Sequence, residues 1–422
     1  MGIEDYHWQK LKREPEHFQK IRCTNMAKDP ELFLNVKGRK ESVFRERSGK
    51  LDSVAYNLDI RPELVFKNCL PVNIYYSVDD NWDQMLTLEP GKSALLQGLE
   101  VGKTPLCLKI FEFRRADWRS RQVIEKGMPE LCVWPFEPVN PDEAGAGARF
   151  DLGINSVISH GTQVLSIYSP FWMINKTGKF VSYRGGLDHH NVVDHPVELG
   201  DAPMMFSYTG RSVLGKRKTS LRVEESAWSD PFTLDTIEDA DKVTCKRKGR
   251  DNSDKQVYHV GVKIQMSKSS LTKIITFTPY YLVLNTADFS ISIREADSSD
   301  ALEVPPGACV PFWPSTTAST QSSPFWMVVA FATGNDDHTT PPFSLREPLS
   351  TLLSLGNKFG AVHVDCRISG RDNKKSIGCL LCMCLEGNYT SFHIEDRLFK
   401  HDYNDPECIK KSLALLILWK SI

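Results

Sequence analysis

Three stretches of this 422-residue chain repeat one pattern, and that repetition limits the possible folds more than any other feature. Each is an apolar strand-like run, then an asparagine, then a small or polar corner, then a second strand-like run. They are Glu63–Tyr76 (ELVFKNCLPVNIYY), Pro170–Tyr183 (PFWMINKTGKFVSY) and Tyr280–Ile293 (YYLVLNTADFSISI). Asn68 and Asn175 lie 107 residues apart, and Asn175 and Asn285 lie 110 apart. A unit copied in tandem at a fixed period is a structural module whose main contacts are its neighbours.

The match extends past the asparagines. A turn glycine follows each one, at Gly91, Gly200 and Gly307, 23, 25 and 22 residues later. A strand-like stretch comes next in each copy: Leu106–Phe113, Thr219–Val223 and Phe325–Phe331. Copies two and three share a further tail, Trp228–Leu234 (WSDPFTL) beside Thr340–Leu345 (TPPFSL). Val257–Met266 has the period-two alternation of a strand, and Lys273–Pro279 is β-branched and closes on a proline. Helical signals are few. The fold class expected is all-β: tandem antiparallel β-sandwich-like modules stacked end to end. The expected divisions are 1–55 as a strand remnant of a preceding module, 56–165, 166–272 and 273–372 as modules one to three, and 373–422 as an atypical tail. Residues 137–149, 246–255 and 315–323 have the composition of surface loops.

Composition excludes several classes. Hydrophobic residues at 41% and charged residues at 25% are ordinary globular usage, not that of a disordered or fibrous chain. Lys plus Arg (52) nearly cancels Asp plus Glu (53), so no global field attracts nucleic acid. The 11 cysteines are scattered through a chain long enough to bury a core without staples, which points to free thiols in a reducing compartment. The start, MGIEDYHWQKLKR, has no apolar signal core, and the longest strongly apolar run is Leu413–Trp419, far below the ~20 residues of a membrane span. A cytoplasmic protein is expected.

Asparagine is a poor strand residue because its amide competes for backbone hydrogen bonds. Its recurrence at Asn68, Asn175 and Asn285 admits two readings. Each side chain holds the turn that follows it, or each presents an amide to an extended partner peptide laid along the sheet.

At these residues the chain resembles the adaptor-binding region of the vacuolar protein sorting 13 (chorein-type) lipid transfer family. The resemblance rests on SPFWMINKTG at 169–178 with Tyr183-Arg184, on Trp228–Leu234, and on LTKIITFTP at 271–279 with Asn285. It covers roughly residues 55–370. It implies an arched array of six β-rich modules, each marked by an asparagine, of which three are recognisable here. It further implies long bridges that carry lipid along a hydrophobic groove, with this region choosing the membrane by binding short Pro-containing receptor peptides. The role it implies is a non-enzymatic scaffold, peripheral at organelle membranes or contact sites. The alternative reading is a sandwich array that binds lipid headgroups directly. The chain has no long groove-forming segment before the repeats, so it is read as less than a whole bridge. The absence of a fourth asparagine corner near residue 393 and the apolar end at 413–422 suggest a truncated C-terminus.

Other chemistry is weakly signalled. Lys246, Arg247, Lys248 and Arg250 form a basic run that could meet anionic lipid. Cys379, Cys382 and Cys384 with His393 have something like zinc-ligand spacing, but inside an apolar run they read as buried thiols, and no metal is expected. His189, His190 and His195 lie beside Asp188 and Asp194 in what reads as a solvated loop. No nucleophile elbow, phosphate loop or dinucleotide fingerprint is present, so no catalytic residue and no cofactor is expected. The sequons at Asn175 and Asn388 are expected to stay unmodified.

Overall fold

A computed structural model describes residues 2–3, 6–24, 32–44, 51–144, 149–159, 161–185, 192–208, 218–235, 242–246, 257–286, 290–295, 300–314, 326–331, 339–345, 349–354, 361–368 and 379–386. The described chain is all-β. Helix is confined to Trp8–Arg13, Pro141–Ala144 and a 3-10 turn at Val197–Leu199. Two compact units separate, one of residues 1–283 with 309–324 and 367–380, the other of 284–308, 325–366 and 381–422.

The first unit opens with a four-stranded sheet, Gly2–Ile3, Glu16–Thr24, Leu32–Phe44 and Leu51–Pro62, all antiparallel and in chain order. Ile21, Cys23 and Val36 form its small apolar cluster. Asn35 Nδ2 donates to Gly161 O, and Thr162 Oγ1 donates to Pro62 O at 2.9 Å. These bonds tie the sheet to the strands of module one.

Module one is a single nine-stranded sheet around one core. Alternation explains how: in Leu64–Asn68 the residues Leu64, Phe66 and Asn68 are buried while Val65 and Lys67 are partly exposed. The core gathers Phe66, Leu106, Leu108, Trp118, Phe136, Phe150, Leu152 and Ile154. Phe150 is ringed by Phe113, Trp118 and Phe136, with centroids 4.9–6.3 Å away. Offset and edge-on ring pairs add about 0.5–1.5 kcal/mol each beyond burial.

Module two is a sandwich of two sheets. One carries Met204–Phe206, Phe171–Asn175, Lys273–Pro279, Val257–Met266 and Lys242–Lys246 in spatial order. The other carries Val192–His195, Val181–Gly185, Lys218–Val223 and Phe232–Thr233. Met173, Val181, Tyr183, Phe206, Leu221, Val260, Ile275 and Phe277 fill the space between them.

Both modules share a device that sequence alternation does not show. The strand that closes each module pairs parallel to its asparagine strand. Leu64–Asn68 runs beside Gln163–Ile167, and Phe171–Asn175 runs beside Lys273–Phe277. All other strand pairs described for these modules are antiparallel. Each closing strand then leads straight into the next asparagine strand. Thr162–Tyr168 and Leu51–Pro62 therefore run continuously across 165/166 and 55/56.

In the second unit, Ala301–Val304, Ile291–Glu295, Trp326–Phe331 and Phe343–Ser344 form a four-stranded antiparallel sheet in that spatial order. Leu349–Ser354 pairs antiparallel with Ala361–Cys366. Leu284, Ile291, Ile293, Val304, Phe343, Val362 and Val364 are buried.

Candidate functional site

Each repeat asparagine ends its strand and points inward, with exposures of 0%, 7% and 0% for Asn68, Asn175 and Asn285. Asn68 Nδ2 donates to Val72 O and Leu88 O, both at 2.9 Å, and Leu70 N donates to Asn68 Oδ1 at 2.9 Å. Asn175 repeats this set. Its Nδ2 donates to Lys179 O at 2.8 Å and His195 O at 3.3 Å, and Thr177 N donates to its Oδ1 at 3.1 Å. Thr177 Oγ1 adds a bond to the same Oδ1 at 2.7 Å. Asn285 Nδ2 donates to Val304 O at 2.9 Å. The three side chains thus each bridge to a strand 19 or 20 residues further along. A buried amide whose partners are all supplied contributes about 1 kcal/mol per bond, and leaving a partner unmet costs about 1–3 kcal/mol.

The main chain of modules one and three repeats too. Asn68 N donates to Lys92 O and Gly91 N donates to Asn68 O; Asn285 N donates to Ala308 O and Gly307 N donates to Asn285 O. Gly91 and Gly307 have φ of 76° and 70°, which a side chain disfavours. Gly200 departs from this scheme: it caps the Val197–Leu199 turn, with φ 52° and its N donating to Val197 O.

The Trp228–Leu234 motif spans both sides of its sheet: Leu234 is buried in the module-two core, while Trp228 packs on the outward-facing Arg184 and Arg222. Arg184 and Arg222 stack on Trp228, with guanidinium carbons 4.3 and 4.9 Å from the ring centroid. Arg222 Nη2 donates to Ser182 Oγ at 3.2 Å, and Ser182 Oγ donates to Asp194 at 2.7 Å. A cleft of about 550 Å³ opens beside the tryptophan, lined by Phe180, Arg222, Glu224, Glu225, Ser226, Ala227 and Trp228. Phe232–Thr233 is an edge strand of the sheet that carries Arg184 and Arg222. Sequence reasoning marked Trp228 as a repeat landmark only; its aromatic-plus-basic partners come from strands more than 40 residues earlier and just before it.

Several sequence expectations resolve differently. His195 is not in a solvated loop but buried in the Val192–His195 strand, its ring 6.2 Å from that of Tyr183. Neither ring nitrogen has a partner among the described residues, and burial pulls the imidazole down to about 4. Asn175 and Thr177 of the sequon are buried in the corner. Lys246 ends an edge strand and is exposed. Arg247, Lys248, Arg250, His189, His190, Asn388 and His393 lie outside the described residues, as do the side chains of Cys379, Cys382 and Cys384. Among the described residues no group of three or more His, Cys, Asp or Glu side chains is placed to hold a metal. No helix among them is long and apolar enough to cross a membrane.

Comparison with known proteins fits this architecture. Residues 3–347 match the family described as vacuolar-sorting associated protein 13, adaptor binding domain. The chain is similar to the mouse (Mus musculus) intermembrane lipid transfer protein VPS13A, 26% identical over 356 residues, which covers 83% of this chain and 10% of that protein. It is also similar to the human (Homo sapiens) intermembrane lipid transfer protein VPS13C, 26% identical over 318 residues, covering 74% of this chain and 8% of that protein. The intermembrane lipid transfer protein VPS13 of Chaetomium thermophilum is 26% identical over 325 residues, covering 71% of this chain and 9% of that protein. The chain therefore spans about a tenth or less of the length of these relatives. Together with the asparagine corners and tandem β modules, the match over residues 3–347 places this chain in the vacuolar protein sorting 13 family, where it carries the adaptor-binding domain.

Proposed function

We propose that this chain is a non-enzymatic scaffold that recruits a lipid transfer protein to organelle membranes by binding short Pro-containing peptides on membrane receptors. The observation that carries this reading is the adaptor-binding match across residues 3–347. It is supported by modules that end in open edge strands, to which an extended peptide can add. In this reading the working modules are those that the asparagine corners open, the first running from Leu64 to Tyr168 and the second from Phe171 to Pro279. Asn68, Asn175 and Asn285 hold their corners and act on the partner only through the strand ends they fix. The protein works from the cytoplasmic side, peripheral to the membrane. The Trp228 cleft suits a proline ring, since proline-rich segments dock on aromatic-lined grooves with little entropy to lose.

The test is a tiled array of peptides from cytoplasmic tails of organelle membrane proteins, probed with the full chain. Retention of Pro-containing peptides, lost when the prolines are changed to alanine, is the expected result. Flotation with phosphatidylserine vesicles and no retention of any peptide would replace this reading with direct headgroup binding.

A further inference from the structure

The outer face of module one carries a feature that corner-holding does not use. On Ile74–Val78, Pro105–Phe113 and Ala116–Val123, the residues Tyr75, Lys109 and Arg119 stand side by side, register partners across three adjacent strands. Phe111, two residues along from Lys109, packs edge-on against Tyr75 with centroids 4.6 Å apart. Trp82 arches over from the following loop, and Lys109 Nζ lies 5.5 Å from its ring and 5.9 Å from that of Phe111. Phe111 is 43% exposed although it belongs to this cluster.

Lys109 and Arg119 are directly opposite one another. Like charges at opposed positions destabilise a sheet. Arg121, next along the same face, is neutralised by Asp80, with nitrogen–oxygen distances of 2.6 and 2.8 Å. Arg119 is exposed and makes no ion pair among the described residues, even with Glu137, its register partner on the other side. The face therefore pairs a partly exposed aromatic cluster with two adjacent cations. Aromatic and arginine side chains dominate the energetics of protein interfaces.

We propose that this face is a second docking surface, for an extended acidic peptide that carries aromatic residues. The peptide lies across this face, its carboxylates meeting Lys109 and Arg119 and its aromatic side chains packing on Tyr75, Trp82 and Phe111. Lys109 and Arg119 outnumber the one acid set opposite them, Glu137, so the face favours an acidic partner, because juxtaposed like charge would repel a basic one. The inference rests on the peptide-binding reading of this domain but concerns a different module from the Trp228 cleft and a different peptide chemistry.

The test is selection of random 12-residue peptides displayed on phage against the full chain, repeated on Lys109→Glu/Arg119→Glu and on Phe111→Ala. All three positions are at least partly exposed, and circular dichroism checks that each variant folds. Arg119→Glu alone serves if the double variant does not. Peptides enriched in Asp, Glu and aromatic residues are expected, with affinity at least about tenfold lower for each variant and falling as salt is raised. Enriched sequences without acidic residues, or affinities that the variants leave unchanged, would overturn the proposal. Capture of the chain by phosphatidylserine vesicles through these same two cations, with no acidic peptide selected, would overturn it too. Pro-containing peptides retained equally by wild type and variants would leave the adaptor reading standing while this surface fails.

Discussion

Asn68 reaches across twenty residues to Leu88: its Nδ2 donates to the Leu88 carbonyl and to that of Val72, both at 2.9 Å, from a fully buried position. Replacing the amide by a carboxylate turns this donor into an acceptor facing two carbonyl oxygens. Asn68→Asp is expected to cost about 2–4 kcal/mol, through two unmet acceptors and a charge held out of water. Because that carboxyl would be harder to ionise folded than unfolded, the deficit shrinks as pH falls. Urea melts at pH 5 and pH 8 measure both the loss and its sign.

Acid stress should fall on module two. Burial lowers His195 to about 4, and burial with the nearby Lys242 lowers His259 to about 3, against an ordinary value of 6.5. The unfolded chain binds more protons over that interval, so stability is full above pH 6.5 and is lost as pH falls toward the folded values. For His195 alone the loss approaches about 3 kcal/mol by pH 4. Denaturant melts from pH 7.5 to 4.5 should show this slope, and His195→Phe should roughly halve it, leaving the share of His259.

Trp228 pins its loop by lying on Arg184 and Arg222. Trp228→Leu keeps apolar bulk and removes the ring, and is expected to cost about 1–2 kcal/mol. Limited proteolysis should then cut near residues 225–235 faster than in wild type.

The thiols should react in a fixed order. Cys309 is exposed, while Cys107 and Cys245 are buried, with burial the main cause of the rise of their thiols to about 11 and about 12. Aromatic disulfide reagents at pH 8 are expected to label Cys309 long before Cys245, which should become reactive only on unfolding. Mass spectrometry of labelled fragments reads the order directly.

The fold was legible where one residue type recurs with one job. The spacing of Asn68, Asn175 and Asn285 announced the repeat because each amide must find carbonyls at the same offsets. Gly91 and Gly307 were legible as turns because their φ values favour glycine. The parallel closing strands were not legible: Thr162–Tyr168 and Lys273–Pro279 have the composition of any buried strand, and strand direction leaves no mark on alternation. His195 was misread because its neighbours Asp188, His189, His190 and Asp194 are polar, while its burial comes from strand pairing with Val181. The Tyr75–Lys109–Arg119 row was invisible for the same reason, since its members are brought together only by register.

The corner claim is tested most directly by hydrogen–deuterium exchange on the wild type and on Asn68→Ala, Asn175→Ala and Asn285→Ala. Each substitution should speed exchange in its own corner, at 68–92, 175–200 or 285–308, and leave the other two corners protected. Unchanged protection in all three corners would contradict the account, as would one variant loosening every corner equally.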